Sequence, residues 1–239
     1  MANQMLAEVE KALKTAPVED RLALPDVIVT TAACLGVAIV GAIPGYLFLG
    51  TNFALYLLLM VAVMGVGIYV ARKSPVSAPL ALGYSLLLGV LMGAFTHAAV
   101  GQGGNVALIA QAVLGTFAGA VGVLLVYATP FGRKASKGGK LFVGVMIGYF
   151  VISLANVVAV MMGVGGGWGF YGVGPLGLLL CALGVAIAAW SLLRDVGMAD
   201  EAIRTGAPRS WSWSLGMALA SSIVWLYMEI LRLLSILNR

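Results

Sequence analysis

Glu229 is the residue of this chain whose placement most directly suggests chemistry. Of the nine acidic residues, it is the one that lies well inside an apolar run. An ionised carboxyl group inside a membrane is costly unless it is paired with a cation or protonated, so such a residue is a functional candidate. Arg232 lies three positions further on, one helical neighbour away, and is the alternative, purely structural partner.

Two further charged residues stand at the ends of apolar runs. Asp195 follows the sixth run and Arg72 follows the second. The charge pattern described below places both at the same membrane face, although each could equally be an ordinary loop charge. Three uncharged polar residues, Gln111, Thr116 and Asn156, lie within the fourth and fifth runs. Contacts that stabilise the helix bundle are the first expectation for these three, and lining a pore is the alternative.

The sequence offers no constellation typical of an enzyme, a metal site or a cofactor site. It contains one histidine, His97, and two cysteines, Cys34 and Cys181, each inside an apolar run. We find no His/Cys cluster, no glycine loop for a nucleotide, and no nucleophile with a partner base. The basic residues lie between apolar runs instead of forming a patch, which argues against nucleic-acid binding. We therefore expect neither catalysis, nor a cofactor, nor a metal site.

The composition predicts that membrane-spanning helices position these residues. Hydrophobic residues make up 62% of the 239 residues and charged residues only 10%. A spanning helix needs about 20 apolar residues, because the hydrocarbon core is about 30 Å thick. Seven segments meet that length: Val27 to Phe48, Phe53 to Ala71, Val76 to Ala99, Val106 to Thr129, Leu141 to Val164, Pro175 to Leu193, and Leu215 to Leu237. The sequence therefore predicts an all-α, polytopic membrane protein.

Lysine and arginine mark alternate connectors between these segments. They occur before the first segment and after the second, fourth and sixth, and the other three connectors contain none. Positive residues are retained in the cytoplasm, so the amino end is expected inside and the carboxyl end outside. We expect residues 1–26 to form a cytoplasmic arm and residues 27–239 to form a seven-helix transmembrane domain. The connector from Gly165 to Gly174 is then an external loop, and its glycines predict low stability.

The last apolar segment carries a family resemblance. The run Val224-Trp225-Leu226-Tyr227-Met228-Glu229-Ile230-Leu231-Arg232-Leu233-Leu234-Ser235-Ile236-Leu237 resembles the final helix of the bacterial branch of the Bax inhibitor-1 family. Shorter stretches agree with it: Asp26 to Val29, Leu35 to Val37, Gln111 to Thr116, Ile147 to Tyr149, and Gly206 to Pro208. Together they touch most of the chain, and the final helix is the specific part.

The resemblance implies six helices around a central carboxyl-terminal helix, and a pH-sensitive calcium leak in the bacterial plasma (inner) membrane. In that family two carboxylates share a hydrogen bond and engage an arginine, and the matching positions here are Asp195, Glu229 and Arg72. Two close carboxyl groups cannot both ionise cheaply, so such a pair shares one proton. The chain departs from the family at Gly197 and Leu88, where relatives carry further acidic residues, and both losses weaken the case for conduction.

Two functions of different classes follow. The first is a leak channel for calcium or another cation, regulated by pH through Asp195, Glu229 and Arg72. The alternative is a non-conducting membrane regulator that binds a partner such as a membrane protease or a stress-response factor. The expected partners are thus the lipid bilayer, a transient calcium or other cation, and a membrane protein.

Overall fold

The computed structural model describes residues 21–49, 52–73, 75–101 and 105–238. Within these ranges the chain forms eight α-helices, of which seven are long and apolar enough to cross a membrane. The helices are α1 Leu24–Pro44, α2 Phe53–Ala71, α3 Ala78–Val100, α4 Val106–Ala128, α5 Pro130–Ser136, α6 Gly139–Met161, α7 Gly174–Arg204 and α8 Ser212–Leu237. The short helix α5 lies between two spans, and the predicted all-α membrane fold is confirmed.

Polar side chains at several helix starts explain where the spans begin. Asn52 accepts a hydrogen bond from the Leu55 N–H at 3.1 Å and so caps α2. Asn105 caps α4 in the same way, accepting from the Leu108 N–H at 3.2 Å. Such caps satisfy backbone donors that the first helical turn leaves free. Proline occupies the first turn of α1, α3, α5 and α7, where its missing N–H costs nothing.

The sixth predicted span differs most from its helix. The sequence predicts its end at Leu193, whereas α7 continues to Arg204 and so carries Asp195 within the helix. The turns of α7 after Leu193 are not apolar enough to be recognised from the sequence as membrane-spanning. They are stabilised by packing instead, because Ala199 and Ala202 lie in one buried cluster with Trp211 from the turn before α8.

Helix α8 is the centre of the bundle, as expected. It packs against α1, α3, α4 and α7. Buried residues occur along its whole length, from Ser212 to Ser235. In α4, Gly115 and Gly119 face α8, and their lack of side chains lets the two helices approach closely.

Helices α1 and α3 cross with their backbones in contact. Gly41 lies in α1, and Gly45, four positions further on, directly follows the end of that helix. Gly89 and Gly93 lie four positions apart on α3. A Cβ atom at any of these four positions would overlap a backbone oxygen of the opposite segment. Small residues at this spacing allow close packing of membrane helices. Each of the four glycines is therefore required for this crossing, which forms one wall around α8.

The two ends of the bundle differ in charge. We call the end with the α2–α3, α4–α6 and α7–α8 connectors the basic end, and the opposite end the neutral end. At the basic end the start of α1 is tied to the α7–α8 turn, since the Leu22 N–H donates to the Ala207 carbonyl at 2.8 Å. Asp26 and Arg209 add an ion pair at 2.9 Å. Residues 1–20 of the predicted arm lie outside the described residues.

Candidate functional site

The carboxylate of Glu229 is buried and fully engaged. Its side chain is only 2% exposed, and its Oε2 accepts a hydrogen bond from Arg232 Nη1 at 2.8 Å within an ion pair. The other oxygen, Oε1, accepts from Tyr149 Oη at 2.5 Å and from Trp225 Nε1 at 3.0 Å. A buried charge is tolerated when it is both paired and hydrogen-bonded in this way. Glu229 is thus held by one cation and two neutral donors.

Helical spacing and one missing side chain create this arrangement. Trp225, Glu229 and Arg232 lie at i, i+4 and i+7 of α8, so they share one face of the helix. Gly184 of α7 faces the same point. A Cβ atom at this glycine would lie 2.9 Å from Glu229 Cδ and 3.1 Å from Tyr149 Oη. The space for the carboxylate therefore depends on glycine at position 184.

Aromatic rings surround the guanidinium of Arg232. Its central carbon lies 4.6 Å from the centroid of the Tyr171 ring and 5.2 Å from that of Phe95. The Tyr171 hydroxyl donates to Tyr149 Oη at 3.5 Å, which links the loop between α6 and α7 to the carboxylate. Burial raises the pKa of the Tyr171 hydroxyl, so this group remains a neutral donor. Arg232 is therefore held by both an ion pair and cation–π contacts.

A cavity of about 430 Å³ lies beside this network, near the neutral end. Its walls come from α2, α3, α6 and α8, together with Trp168 and Tyr171 of the α6–α7 loop. Most of the lining is apolar, and the polar groups that reach it include Glu229, Arg232 and Asn156. Apolar cavities of this size with a few convergent polar groups are typical of ligand sites.

Asp195 forms a separate cluster nearer the basic end. Its Oδ2 accepts a hydrogen bond from Ser222 Oγ at 2.5 Å, and the hydroxyls of Ser222 and Ser191 lie 2.9 Å apart. The neighbouring Arg194 does not pair with it, and its guanidinium lies 4.2 Å from the ring centroid of Phe142 instead. Among the described residues, the Asp195 carboxylate therefore has a neutral hydrogen-bond partner, Ser222, and no ion pair.

The two carboxyl groups are not in contact. Ser222 and Glu229 are seven positions apart on α8, which is about 10 Å along a helix that rises about 1.5 Å per residue. Leu226 lies between them and is buried in an apolar cluster with Val123 and Ala188. The expected hydrogen-bonded pair of Asp195 and Glu229 therefore does not describe this conformation.

Arg72 is also remote from the carboxylate of Glu229. It lies at the end of α2 nearest the basic end and its side chain is exposed. It makes no ion pair within the described part of the chain. Helix α2 packs mainly against α3. Instead of the expected triad, the structure gives Glu229 the alternative partner, Arg232, while Asp195 and Arg72 stand apart.

The three uncharged candidates have different environments. Thr116 Oγ1 donates to the Ala112 carbonyl of its own helix at 2.7 Å and is buried. Asn156 Oδ1 accepts from the Phe170 N–H at 2.8 Å, and the residue also lines the cavity. Gln111 is exposed on the outside of the bundle. Of the three, Asn156 alone combines a structural bond with access to the cavity.

The remaining candidates do not form a site. The ring of His97 meets Tyr46 edge-on at 5.0 Å between centroids, and its nitrogens have no hydrogen-bond partner among the described residues. Cys34 and Cys181 are free and buried, as their apolar surroundings predict. No group of His, Cys, Asp and Glu that could hold a metal occurs in the described ranges.

The loop between α6 and α7 is packed against neighbouring helices, and its low stability stays a prediction. It forms two short turns, Val164–Gly167 and Gly169–Gly172, in which Gly165, Gly166 and Gly169 have positive φ angles. Tyr171 is buried, and the bond from Phe170 to Asn156 fixes the second turn to α6. The sequence predicts only that the aromatic residues of this loop anchor it at the membrane interface. The buried contacts are made with other helices and could not be predicted from the loop sequence.

Sequence reasoning missed four residues that build the two clusters: Tyr149, Gly184, Ser222 and Trp225. The i, i+4 spacing of Trp225 and Glu229 was a usable signal. The other three contact their partners across helices, and nothing local in the sequence marks those contacts.

Comparison with known proteins agrees with the resemblance of the last helix. A family model described as Bax inhibitor 1 like matches residues 3–239, nearly the whole chain. A search of curated proteins finds no match.

Proposed function

The chain belongs to the Bax inhibitor 1 like family, and from that premise we propose that it provides a pH-regulated leak pathway for calcium or another cation across the bacterial plasma membrane. Asp195 and Glu229 are the proposed proton-binding residues of the gate, and Arg72 is the arginine that they engage. The observation that carries the proposal is the placement of two carboxyl groups at different depths along one seam between α7 and α8. Cations crossing an apolar bundle require such oxygen ligands.

In this proposal the described conformation is the closed state. Arg232 neutralises Glu229, and the buried side chain of Leu226 separates that cluster from Asp195. Because Asp195 accepts its hydrogen bond from a neutral serine, it can take up a proton without breaking an ion pair. A proton there removes the charge that holds Ser222, which loosens the contact between α7 and α8 at this level.

Arg72 lies at the same end of the bundle as Asp195, in keeping with a role in closing that end. The two residues would have to approach each other in another conformation. We propose that the basic end faces the cytoplasm, because lysine and arginine are retained there. Reporters that are active on one side of the membrane, fused to each terminus, test this orientation, and finding both termini on one side would refute it.

The decisive experiment is calcium flux in liposomes that contain the purified chain, measured across pH. Asp195→Asn should flatten the pH dependence, because that carboxyl group no longer titrates. Arg72→Ala should shift the dependence, whereas Lys73→Ala, which alters the neighbouring exposed charge, should leave it unchanged. Wild-type flux that does not exceed that of protein-free liposomes at any pH would refute the leak.

Double variants decide whether the proposed residues act as one unit. If Asp195, Glu229 and Arg72 come together during gating, combining Asp195→Asn with Glu229→Gln should give a shift that differs from the sum of the single shifts. Sites about 10 Å apart that never meet should give additive shifts. Additive shifts would therefore reject the joint latch while leaving the leak itself intact.

One observation favours the second candidate, a non-conducting regulator that binds a membrane partner. Helix α6 is the least buried of the seven spans. Gly144 and Gly148 lie four positions apart on it, and within the described part of the chain no atom of another element lies within 4 Å of either Cβ position. Small residues at this spacing favour helix packing in membranes. A flat flux trace, together with a partner crosslinked specifically through α6, would favour this function over the leak.

A further inference from the structure

We propose that the cavity beside Arg232 binds a single-chain amphiphile with a carboxylate head, a long-chain fatty acid, which enters from the bilayer. This inference does not depend on ion conduction. Four properties of the cavity lead to this inference: the cation that lines it, the remaining N–H donors of that cation, its apolar walls, and its depth in the membrane.

The cavity exposes the cation of the buried ion pair far more than the anion. The side chain of Arg232 is 18% exposed, while that of Glu229 is 2% exposed. Tyr149 and Trp225 donate hydrogen bonds to the other carboxylate oxygen, so Glu229 is already satisfied. A molecule in the cavity therefore meets a guanidinium first, and a carboxylate head is complementary to it.

Arg232 keeps hydrogen-bonding capacity for such a head. Its two hydrogen bonds within the described residues, to Glu229 at 2.8 Å and to Tyr149 at 3.3 Å, both come from Nη1. A guanidinium carries five N–H donors, and those on Nε and Nη2 form the fork that a carboxylate binds with both oxygens. The ion pair and the rings of Phe95 and Tyr171 fix this fork in advance, so little side-chain freedom is lost on binding.

The walls suit one hydrocarbon chain. Apolar and aromatic side chains from α2, among them Tyr56 and Met60, face the cavity opposite Val157 and Val160 of α6. Helices α2 and α6 contact each other very little, so the gap between them is the proposed entrance from the bilayer. The volume of about 430 Å³ is near the lower limit of ligand cavities, so it favours a single chain over a two-chain phospholipid.

The depth of Arg232 in the membrane suits the carboxylate head of a fatty acid. It lies five positions before the end of α8 at Leu237, which is about 7 Å along the helix. A carboxylate bound there remains near the interface, where fatty acids place their heads. The hydrocarbon chain then lies between α2 and α6.

Quenching of tryptophan fluorescence tests the proposal, because Trp168 and Trp225 line the cavity. The full-length chain is placed in nanodiscs of zwitterionic phospholipid and titrated with dibromostearic acid, with its methyl ester, or with a dibrominated phospholipid. Bromine quenches tryptophan only on close contact. We expect saturable quenching by the acid, with binding at least about tenfold tighter than that of the ester, which lacks the charge.

Two matched variants locate the binding site. Ser153 lines the cavity, and Ser153→Phe should fill it and abolish saturable quenching. The adjacent Leu154 is 48% exposed on the outside of α6, and Leu154→Phe should leave binding unchanged. Both variants keep the Glu229–Arg232 pair. Arg232→Gln should weaken binding of the acid about tenfold and leave that of the ester unaltered.

Three results would overturn the proposal. The first is quenching that rises linearly with each probe, as simple partitioning gives. The second is equal affinity for the acid and the ester. The third is quenching by the dibrominated phospholipid that the fatty acid does not displace, which would identify bulk lipid as the occupant. If Arg232→Gln fails to fold, the comparison of Ser153→Phe with Leu154→Phe still decides.

Discussion

Gly184→Ala is the smallest change that tests the network around Glu229. The added methyl group would lie 2.9 Å from Glu229 Cδ and 3.1 Å from Tyr149 Oη, so the carboxylate must move. Overpacking costs about 1–3 kcal/mol, and a lost hydrogen bond to a charged group costs about 1.5–3 kcal/mol. Alanine regains about 1 kcal/mol of helix propensity. We expect a net destabilisation of about 2–4 kcal/mol.

Thermal unfolding of the purified chain in one fixed detergent measures this effect. For a chain of this size each kcal/mol shifts Tm by about 2–4 °C, so Gly184→Ala should unfold about 5–15 °C below wild type. Gly122→Ala is the matched control, because no atom of another element lies within 4 Å of its Cβ position, and it should be neutral or slightly stabilising. Glu229→Asp withdraws the carboxylate by one methylene, so Gly184→Ala should cost less in that background. Equal Tm values for the two alanine variants would refute the proposed close packing at position 184.

Three further substitutions test other contacts. Gly169→Ala should destabilise the α6–α7 loop and raise its amide exchange rate, because this glycine has a φ of +63° that alanine adopts only with strain; unchanged exchange would contradict this. Arg209→Ala removes the ion pair with Asp26. Because the Arg209 side chain is 65% exposed, the change should lower stability by no more than about 1 kcal/mol, with a smaller loss at high salt. Ser222→Ala removes the donor to Asp195 and should change the pH dependence of flux, whereas Ser221→Ala should not; equal profiles would exclude Ser222 from gating.

The spans could be predicted because the bilayer sets their length and excludes charge from their middle. Phe53–Ala71 is identical in prediction and structure, and the other starts and ends differ by a few residues, apart from the carboxyl end of α7. The carboxyl end of α7 carries charged residues, so hydropathy could not predict where the helix ends. Tertiary contacts with the start of α1 and with Trp211 stabilise it. The glycine crossing of α1 and α3 was equally out of reach, since Gly144 and Gly148 also lie four apart and yet meet no described atom within 4 Å of their Cβ positions.

The site could be predicted in part. Glu229 was recognisable because a carboxyl group in an apolar run needs a partner, and Arg232 follows at helical spacing. The resemblance suggested a different partner, Asp195, but the register between α7 and α8 in this structure keeps Asp195 away from Glu229. That register places Gly184 opposite Glu229, and Asp195 opposite Ser222. Helix register depends on side-chain packing along the entire seam, which periodicity alone does not specify.

The separation of the carboxyl groups limits how a proton could act on this protein. Ser222 and Glu229 belong to one helix, while their partners Asp195 and Gly184 belong to another. A movement of α8 against α7 would therefore change both clusters at once, without any contact between the carboxyl groups. Interfaces between packed helices have discrete arrangements, and such shifts commonly couple distant sites. The bulk of Leu226 between the clusters and the tight fit at Gly184 both resist that movement. A pH response that involves both carboxyl groups is therefore expected to change the position of α7 and α8 relative to each other.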